Sequence, residues 1–405
     1  MRQKTPRSQI VYFLEAPLDE RDFQRFGIDF MLNLGIQVDV FVVSSISKPY
    51  LPQIPSITPK SPMLKIFDIG TLRELQRFHP RLSNVNLIVS TVGTSHKTRA
   101  NLPILRFISR LNKPSIIQLS NVYPGWDRWR GDRAKKWARV KDIINRLPSL
   151  NVFDSLTSRL PNCIMGIRPA DFVIVGGRAG ERGSTSRHLV GDTTYTIRAH
   201  AMDYETYLDN VEFRSEDGNM AVFIDEYLPY HIDNTELGQP MSPGPYFNKL
   251  RRLLDRVEEF CGYEIVIAAC PRADYNDKPG LFGSRKIIYN STAKLVAQSK
   301  LVIAHRSTAI NFAVLFEKPI LLVATRETYN HTSQTPYFDG FATALEKEIQ
   351  FFDDPKEVDL SKINHVNRGV YSRYVEDFIK QSSSPEKNFW QIILDEVNGS
   401  GRARI

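Results

Sequence analysis

The segment from residue 300 to residue 323 limits the possible folds of this chain more than any other. It reads KLVIAHRSTAINFAVLFEKPILLV, in which two apolar runs of strand length, Leu301–Ala304 and 320–323, flank a stretch at 309–316 that is apolar on every face. An apolar helix between two apolar strands is typical of a βαβ unit whose helix is buried against a parallel sheet. We therefore expect an α/β fold with parallel strands.

Four polar residues, His305, Arg306, Ser307 and Thr308, separate the first of these strands from the helix. Backbone N–H groups and the helix dipole converge at a helix start, and the two hydroxyl groups add donors, so an anion can bind there. Open α/β sheets also bind their ligands at the carboxyl ends of their strands. The alternative is a Ser or Thr that only caps its own helix. The Arg and His beside the hydroxyls favour the anion site.

Strand-like runs alternate with helical patterns through the rest of the chain, which indicates doubly wound parallel sheets. The first half has expected strands at 10–15, 36–43, 86–92, 114–119, 171–175 and 194–199, and helices at 20–34, 72–78 and 105–111. A polar, Gly-containing stretch at 214–219 precedes a second series, with strands at 220–224, 263–268 and 285–289 and helices at 247–260 and 292–298. We therefore expect one Rossmann-like domain over residues 1–214 and another over 215–384.

A last helix is expected at the end of the chain, over residues 385–398. Ser383, Ser384, Pro385 and Glu386 form a helix-start signature, with Pro at the first helical position. The apolar residues that follow recur at helical spacing, namely Trp390, Ile393, Leu394 and Val397. Such a face must dock on something, and the first domain is the expected partner.

The composition is that of a globular cytoplasmic protein. Of 405 residues, 42% are apolar and 24% are charged. No apolar run approaches the roughly 20 residues that cross a bilayer, and the Met-Arg-Gln-Lys start does not lead into the apolar core of a signal peptide. Three cysteines without paired spacing argue against a disulfide framework or a zinc site.

Positive charge and tryptophan are concentrated together at residues 123–147. This segment has eight Lys or Arg against three Asp, and it holds three of the four tryptophans. The mixture suits an anionic membrane surface, whereas no recognised motif indicates nucleic acid. The alternative is a solvated helix with its tryptophans packed beneath it. The residues expected to dock on the membrane are Trp126, Trp129, Arg130, Arg133, Lys136, Trp137 and Lys141.

A glycine-containing loop at 176–180 reads GGRAG and follows an expected strand. It lacks the Lys of a Walker loop and the third Gly of a dinucleotide fingerprint. We expect either a flexible loop of the cleft, with Arg178 and Arg182 available to an anion, or an ordinary surface loop.

Two doubly wound domains that face a cleft describe the GT-B architecture, and short motifs extend the resemblance. Two short motifs resemble the paired motifs of bacterial GT-B transferases that use CMP-activated keto-sugars. These transferases are the sialyltransferases and some Kdo transferases. The motifs in this chain are Ala268-Ala269-Cys270-Pro271-Arg272 and Ser307-Thr308. In that family a His-Pro pair engages the nucleotide phosphate and a Ser-Ser or Ser-Thr pair holds it. Here Cys270 occupies the His position, and a thiol donates hydrogen bonds weakly and carries no cation. Polymer-forming glycerophosphotransferases have a comparable helix-start pair.

The resemblance implies a glycosyltransferase that builds a bacterial surface polysaccharide, such as lipopolysaccharide or capsule, at the inner face of the cytoplasmic membrane. Its partners would be a nucleotide-sugar donor and a glycan or lipid-linked glycan acceptor, with no cofactor. No Asp-x-Asp element occurs at the end of an expected strand, so we also expect no metal. The residues expected at the donor are Asp225, Glu226, Cys270, Pro271, Arg272, His305, Arg306, Ser307 and Thr308. The alternatives are a nucleotide-sugar epimerase of this architecture and a catalytically inactive assembly partner.

A catalytic base that deprotonates an acceptor hydroxyl should be a carboxylate or His at a strand's carboxyl end, facing the cleft. In the first domain Glu15, Asp19, His200 and Asp203 meet that requirement. For Glu15 and Asp19 the alternative is a cap on the helix expected from Glu20. For His200 and Asp203 it is a hydrogen-bond network at the hinge between the domains.

Overall fold

The computed structural model describes residues 8–49, 55–94, 97–125, 160–182, 188–215, 218–230, 241–330, 335–361 and 363–405. These residues form two α/β domains, each built on a parallel sheet. Among the described helices, none is both long and apolar enough to span a bilayer. The expected class, two doubly wound Rossmann-like domains, is confirmed.

The first sheet has seven described strands in the order β3-β2-β1-β4-β5-β6-β7. They are β1 Gln9–Leu14, β2 Gln37–Val42, β3 Leu64–Asp68, β4 Leu87–Ser90, β5 Ser115–Leu119, β6 Phe172–Val175 and β7 Tyr195–Arg198. Alternate residues of β1 enter two separate cores: Ile10, Tyr12 and Leu14 face one, and Val11 and Phe13 face the other. Apolar helices therefore cover both faces of the sheet, which explains why its central strands are almost continuously apolar.

The second sheet has six described strands in the order β10-β9-β8-β11-β12-β13. They are β8 Met220–Ile224, β9 Glu264–Ala268, β10 Ile287–Ile288, β11 Leu301–Ala304, β12 Ile320–Ala324 and β13 Gln350–Phe351. The strand order reverses between β8 and β11, as it does between β1 and β4 in the first sheet. Such a switch point opens a crevice at the carboxyl ends of the strands.

The described residues include sixteen α-helices. In the first domain they are α1 Glu20–Arg25, α2 Ile28–Asn33, α3 Ser44–Ser47, α4 Leu72–Arg77, α5 His79–Leu82, α6 Leu102–Leu111, α7 Asn162–Met165, α8 Arg178–Arg182 and α9 Met202–Leu208. The others are α10 Pro243–Cys261, α11 Thr292–Gln298, α12 Ile310–Leu315, α13 Arg326–Asn330, α14 Thr335–Leu345, α15 Arg368–Tyr374 and α16 Phe389–Gly399.

The single helix expected at 20–34 is broken into α1 and α2 at Gly27. This glycine adopts φ +59°, a left-handed conformation that an L side chain rarely takes. A Cβ added there would lie 2.1 Å from Cδ1 of Trp390, so the indole ring of the last helix fills the space. The indole Nε1 also donates to the carbonyl oxygen of Arg25 at 3.1 Å. A tertiary contact therefore sets this break.

The last helix, α16, packs its apolar face into the core of the first domain, where Trp390, Ile393 and Val397 join Tyr12. It begins at Phe389, later than its sequence signature indicated. Asn388 caps it by accepting from the N–H groups of Trp390 and Gln391. Ser384 and Pro385 lie instead in the segment that returns from the second domain, where the carbonyl oxygen of Ser384 accepts from Lys380.

Two chain segments cross between the domains and lie side by side. The N–H of Ala201 donates to the carbonyl oxygen of Ile379 at 2.6 Å, and His200 forms an antiparallel bridge with Lys380. The loop after β6 packs against the same crossing, because a Cβ at Gly177 would lie 2.2 Å from the carbonyl oxygen of Asp377. Arg178 pairs with Asp377 at 2.9 Å. The expectation of a flexible cleft loop is therefore wrong: the glycines permit a close backbone approach.

Candidate functional site

Three loops of the second domain meet around its switch point. They follow β8, β9 and β11, and they carry Asp225-Glu226, Cys270-Pro271-Arg272 and the segment from His305 to Thr308. All nine residues expected at the donor therefore lie on one edge of the sheet. Their individual environments differ, and these differences decide which side chains can meet a ligand.

The carboxylate of Asp225 makes its hydrogen bonds to other groups of the protein. Its carboxylate is buried and accepts from the backbone N–H groups of Tyr227 at 2.9 Å and Cys270 at 3.2 Å, and from the hydroxyl of Tyr275 at 2.8 Å. Burial raises the pKa of Asp225, and the three hydrogen bonds oppose that rise. The expected contact with the donor is corrected accordingly: Asp225 holds the β8 and β9 loops together.

Glu226 links the β8 loop to the β11 loop. Its Oε1 accepts from the backbone N–H of Arg306 at 2.7 Å. The side chain of Arg306 is half-buried, and its Nε atom is buried without a hydrogen-bond partner among the described residues. An unsatisfied buried donor is costly unless a ligand or water completes it. Arg306 is therefore a strong candidate for an anion contact.

Ser307 and Thr308 lie in the turn that leads into α12. The Oγ of Ser307 accepts from the N–H of Ala309 at 3.2 Å, which leaves its O–H proton free to donate. Thr308 is exposed. The helix begins at Ile310 without a side-chain cap, so neither hydroxyl serves as a conventional N-cap. Both hydroxyls can therefore donate to a ligand.

His305 is completely buried, beneath the loop that carries the other three residues. Its Nδ1 lies 2.7 Å from the carbonyl oxygen of Val323, to which it must donate, and its Nε2 accepts from the hydroxyl of Tyr246 at 2.8 Å. Both ring nitrogens are therefore occupied, and burial lowers the pKa of His305. The expected contact with phosphate is corrected: His305 is a neutral ring that braces the core.

The β9 loop presents Pro271 and Arg272 at the surface, with Cys270 half-buried behind them. Burial raises the pKa of the Cys270 thiol, so the thiol is neutral. Arg272 has no ion pair or side-chain hydrogen bond within the described residues. Its positive charge nevertheless acts on Arg21 and Asp22 of the first domain. The carboxyl edges of the two sheets therefore face each other across a cleft.

Arg21, Asp22 and Arg25, on helix α1, are the cleft residues that sequence reasoning missed. Asp22 and Arg25 line a cavity of about 210 Å³ together with Asn121. The Asp22 carboxylate has no hydrogen bond to any described residue, and burial followed by repulsion from Asp19 raises its pKa. The only sequence signal was their position directly after the first strand, which the helical pattern obscured.

The other two candidate carboxylates near the start of the chain, Glu15 and Asp19, follow the first strand. Asp19 caps α1 by accepting from the N–H of Asp22 at 2.6 Å. This is the helix cap that the sequence analysis gave as the alternative to a catalytic role. Glu15 is largely buried at the end of β1, and its Oε2 lies 4.0 Å from Nζ of Lys48. Burial raises the pKa of Glu15, and Lys48 partly opposes that rise.

His200 and Asp203 both lie at the hinge. His200 is fully buried, and its ring packs against the rings of Tyr204 and Phe389. Its Nε2 lies 3.1 Å from Oε1 of Glu205. The expected contact of His200 with substrate is therefore corrected to a place in the hinge network. Asp203 accepts from Nδ2 of Asn311 on α12 at 3.0 Å, which joins the two domains.

The residues expected to dock on a membrane lie outside the described part of the chain, as does the side chain of Arg182; they are Trp126, Trp129, Arg130, Arg133, Lys136, Trp137 and Lys141. Where the chain is described, no group of three or more His, Cys, Asp or Glu side chains could hold a metal ion.

Solved structures resemble this chain over nearly its whole length. A variant of the wall teichoic acid polymerase TagF superposes with a TM-score of 0.51 at 12% identity, covering 98% of this chain and 89% of that one. The calicheamicin glycosyltransferase CalG4 gives 0.49 at 8% identity, with 92% and 94% covered. MurG from Acinetobacter baumannii gives 0.45 at 11% identity, with 97% and 100% covered.

No protein-family model matches the chain, and no curated protein matches it in sequence. At these identities the structural likeness defines the fold alone. The two parallel sheets, their facing carboxyl edges and the match with TagF together show that the chain has the two-domain, Rossmann-like GT-B fold.

Proposed function

We propose that this protein is a glycosyltransferase that moves a sugar from a nucleotide-activated donor to a glycan or lipid-linked acceptor. The observation that carries the proposal is a pair of arginines on either side of the switch point in the second domain, Arg272 and Arg306. Neither has an ion pair within the described part of the chain, and Nε of Arg306 is buried without a hydrogen-bond partner there. The GT-B fold is the architecture expected for sugar transfer, and the match with the wall teichoic acid polymerase TagF supports a surface polymer as product.

The donor phosphate would be held by Arg272, Arg306, Ser307 and Thr308. Negative charge develops on the phosphate as the sugar departs, and preorganised positive donors stabilise it. We propose that the two guanidinium groups take the place that a divalent cation has in other transferases, so that activity is independent of metal. A CMP-activated keto-sugar is the donor that the short motifs favour, although Cys270 replaces the His of that family.

The acceptor hydroxyl needs a base on the first domain. Asp22 is the best placed carboxylate because it lines the cavity and has no side-chain hydrogen bond to any described residue. It also lies within the electrostatic influence of Arg272. A carboxylate with a raised pKa is a better base near neutral pH. Glu15 also has a raised pKa and is the second candidate. Asp19 and Asp203 are engaged in a helix cap and a hinge contact.

Docking on an anionic membrane is part of the proposal. The basic segment at 123–147 begins at a contact between the domains, where Tyr123 lies 5.2 Å from Tyr337 by ring centroids. The guanidinium carbon of Arg306 lies 5.8 Å from the same Tyr337 ring. The segment therefore starts beside the donor loop, which would keep the cleft close to a lipid-linked acceptor.

The proposal is tested by incubating the protein with candidate nucleotide sugars, with and without glycan acceptors. Thermal-shift screening against CMP, CDP, UDP, GDP and their sugars first selects the donor, because a ligand of the folded state raises the melting temperature. Nucleotide release only with acceptor indicates a transferase. An isomerised sugar would indicate an epimerase, and binding without turnover an inactive assembly partner. The variant R272A/R306A should lose nucleotide binding if these arginines hold the phosphate.

A further inference from the structure

Two arginines of helix α1, Arg21 and Arg25, take no part in the donor site described above. They stand four residues apart, so their side chains share one face of the helix. Neither guanidinium group has an ion pair or a side-chain hydrogen bond within the described part of the chain. The positive charge of Arg25 acts unfavourably on Arg21. An anion between the two would relieve this repulsion.

A cavity of about 210 Å³ opens beside this face of α1. Besides Arg25 it is lined by Asp22, Phe26 and Met202, and by Gln118, Ser120 and Asn121 at the carboxyl end of β5. The Oδ1 of Asn121 accepts from the N–H of Met202 at 2.9 Å, which leaves its amide NH₂ free to donate. A single water needs only roughly 10–15 Å³. The cavity therefore accommodates a ligand group of several atoms, with amide and hydroxyl partners for it.

The charges around Arg21 and Arg25 come from both domains. Arg272 of the second domain acts on Arg21, and the carboxylates close by are Asp19, Asp22 and Asp203. Asp19 already accepts from the N–H of Asp22 at 2.6 Å, and Asp203 from Asn311 at 3.0 Å. These two carboxylates are thus engaged elsewhere, which leaves the guanidinium groups of Arg21 and Arg25 without a fixed partner among the described residues.

We propose that Arg21 and Arg25 bind a phosphate group of the acceptor, at a site on the first domain separate from that of the donor phosphate. The planar fork of a guanidinium group matches two phosphate oxygens, and two neighbouring forks can share one group. The cavity, which offers both apolar surface and amide and hydroxyl groups, would hold the sugar or alcohol to which that phosphate is attached. Calling the ligand an acceptor rests on the proposed function, whereas the anion site rests on the arginines themselves.

Inorganic pyrophosphate is a suitable probe, titrated calorimetrically into the full-length protein with and without a saturating nucleotide. We expect pyrophosphate to bind even when nucleotide fills the donor site. The variant R21A/R25A should weaken this binding at least tenfold and leave nucleotide affinity within twofold. The matched control is R73A/R77A, because Arg73 and Arg77 are exposed and stand four residues apart on α4, a helix of equal length. The control should bind like the unaltered protein.

Two outcomes would overturn the inference. Undiminished pyrophosphate binding by R21A/R25A would show that these arginines bind no phosphate. A parallel loss of nucleotide affinity would place them in the donor site instead. If no nucleotide binds at all, the proposed function fails, yet the titration of the nucleotide-free protein still decides the anion site.

Discussion

The hydroxyl of Tyr246 donates a hydrogen bond to Nε2 of His305 at 2.8 Å, inside the core of the second domain. Since Nδ1 must at the same time donate to the carbonyl of Val323, the ring is held as one neutral tautomer. Protonation at Nε2 would break the bond from Tyr246 and leave a charge in an apolar interior.

This arrangement predicts a pH dependence of stability. Burial lowers the pKa of His305 below its ordinary 6.5, so below pH 6.5 the unfolded chain binds a proton that the folded chain does not. The free energy of unfolding should therefore fall as the pH drops below 6.5, by up to about 1.4 kcal/mol per pH unit. Above pH 6.5 His305 should contribute no slope.

Denaturant unfolding between pH 5 and pH 8 checks this prediction. The comparison is between slopes, so a variant that is less stable overall remains informative. H305N should flatten the slope below pH 6.5, whereas H79N, which alters an exposed histidine, should not. Equal slopes in the unaltered protein and H305N would refute the assignment.

Gly27→Ala should destabilise the first domain strongly, because the added Cβ would overlap the indole ring of Trp390. Gly35→Ala is a matched control, since Gly35 also has a positive φ, +76°, but has no atom within 4 Å of an added Cβ. The backbone conformation alone costs about 1–2 kcal/mol. G27A should lose about 1–3 kcal/mol more than G35A. Equal losses, measured by urea unfolding, would mean that the ring moves aside freely.

Replacing both Ser307 and Thr308 by Ala should raise the dissociation constant for the nucleotide at least tenfold, which corresponds to about 1.4 kcal/mol. The reason is the loss of two hydroxyl donors beside Arg306. The control is S291A/T292A, a Ser-Thr pair at the start of α11, beyond the outermost strand β10. Calorimetric titration of nucleotide into each variant provides the measurement, and unchanged affinity in folded S307A/T308A would exclude these hydroxyls from the donor site.

Asp22→Asn should lower kcat at least about a hundredfold if Asp22 is the general base. Nucleotide affinity should be retained, because the residue faces the acceptor side. The base must be deprotonated, so kcat/KM should fall as the pH drops through the pKa of Asp22. Because burial raises that pKa, the fall should begin at a higher pH than it would for an ordinary Asp. The comparison is with E15Q. A large loss in E15Q with a normal D22N would assign the base to Glu15.

Binding to vesicles should require anionic lipid and weaken with salt, because the basic segment would be attracted electrostatically. Co-sedimentation with vesicles that contain or lack anionic lipid measures this. R133E/K136E/K141E should lose most binding. The control, R73E/R77E/R110E, reverses three exposed arginines elsewhere in the first domain. Equal binding by both triple variants would leave a solvated basic helix as the interpretation of the segment.

Local patterns predicted the central βαβ unit well. Strand Leu301–Ala304 has the expected bounds and α12 falls inside the expected apolar stretch, because a strand or helix buried on all sides is apolar throughout. Edge strands are harder to predict, because few of their residues are buried and the apolar pattern is weak. Strand β3 was missed for this reason, since only Leu64 among its residues is buried. The break at Gly27 was also missed, because its cause, Trp390, lies at the other end of the chain.

Local sequence patterns were enough to predict the two parallel sheets and the sheet edge that carries Arg272, Arg306, Ser307 and Thr308, because the end of a strand and the residues of its loop lie within a short stretch of chain. Which side chains at that edge remain available to a ligand depends on long-range packing. It buried His305 between Tyr246 and Val323, and it brought helix α1 opposite the β9 loop. Those outcomes depend on packing between segments far apart in the chain, and hydrophobic periodicity carries no information about such contacts.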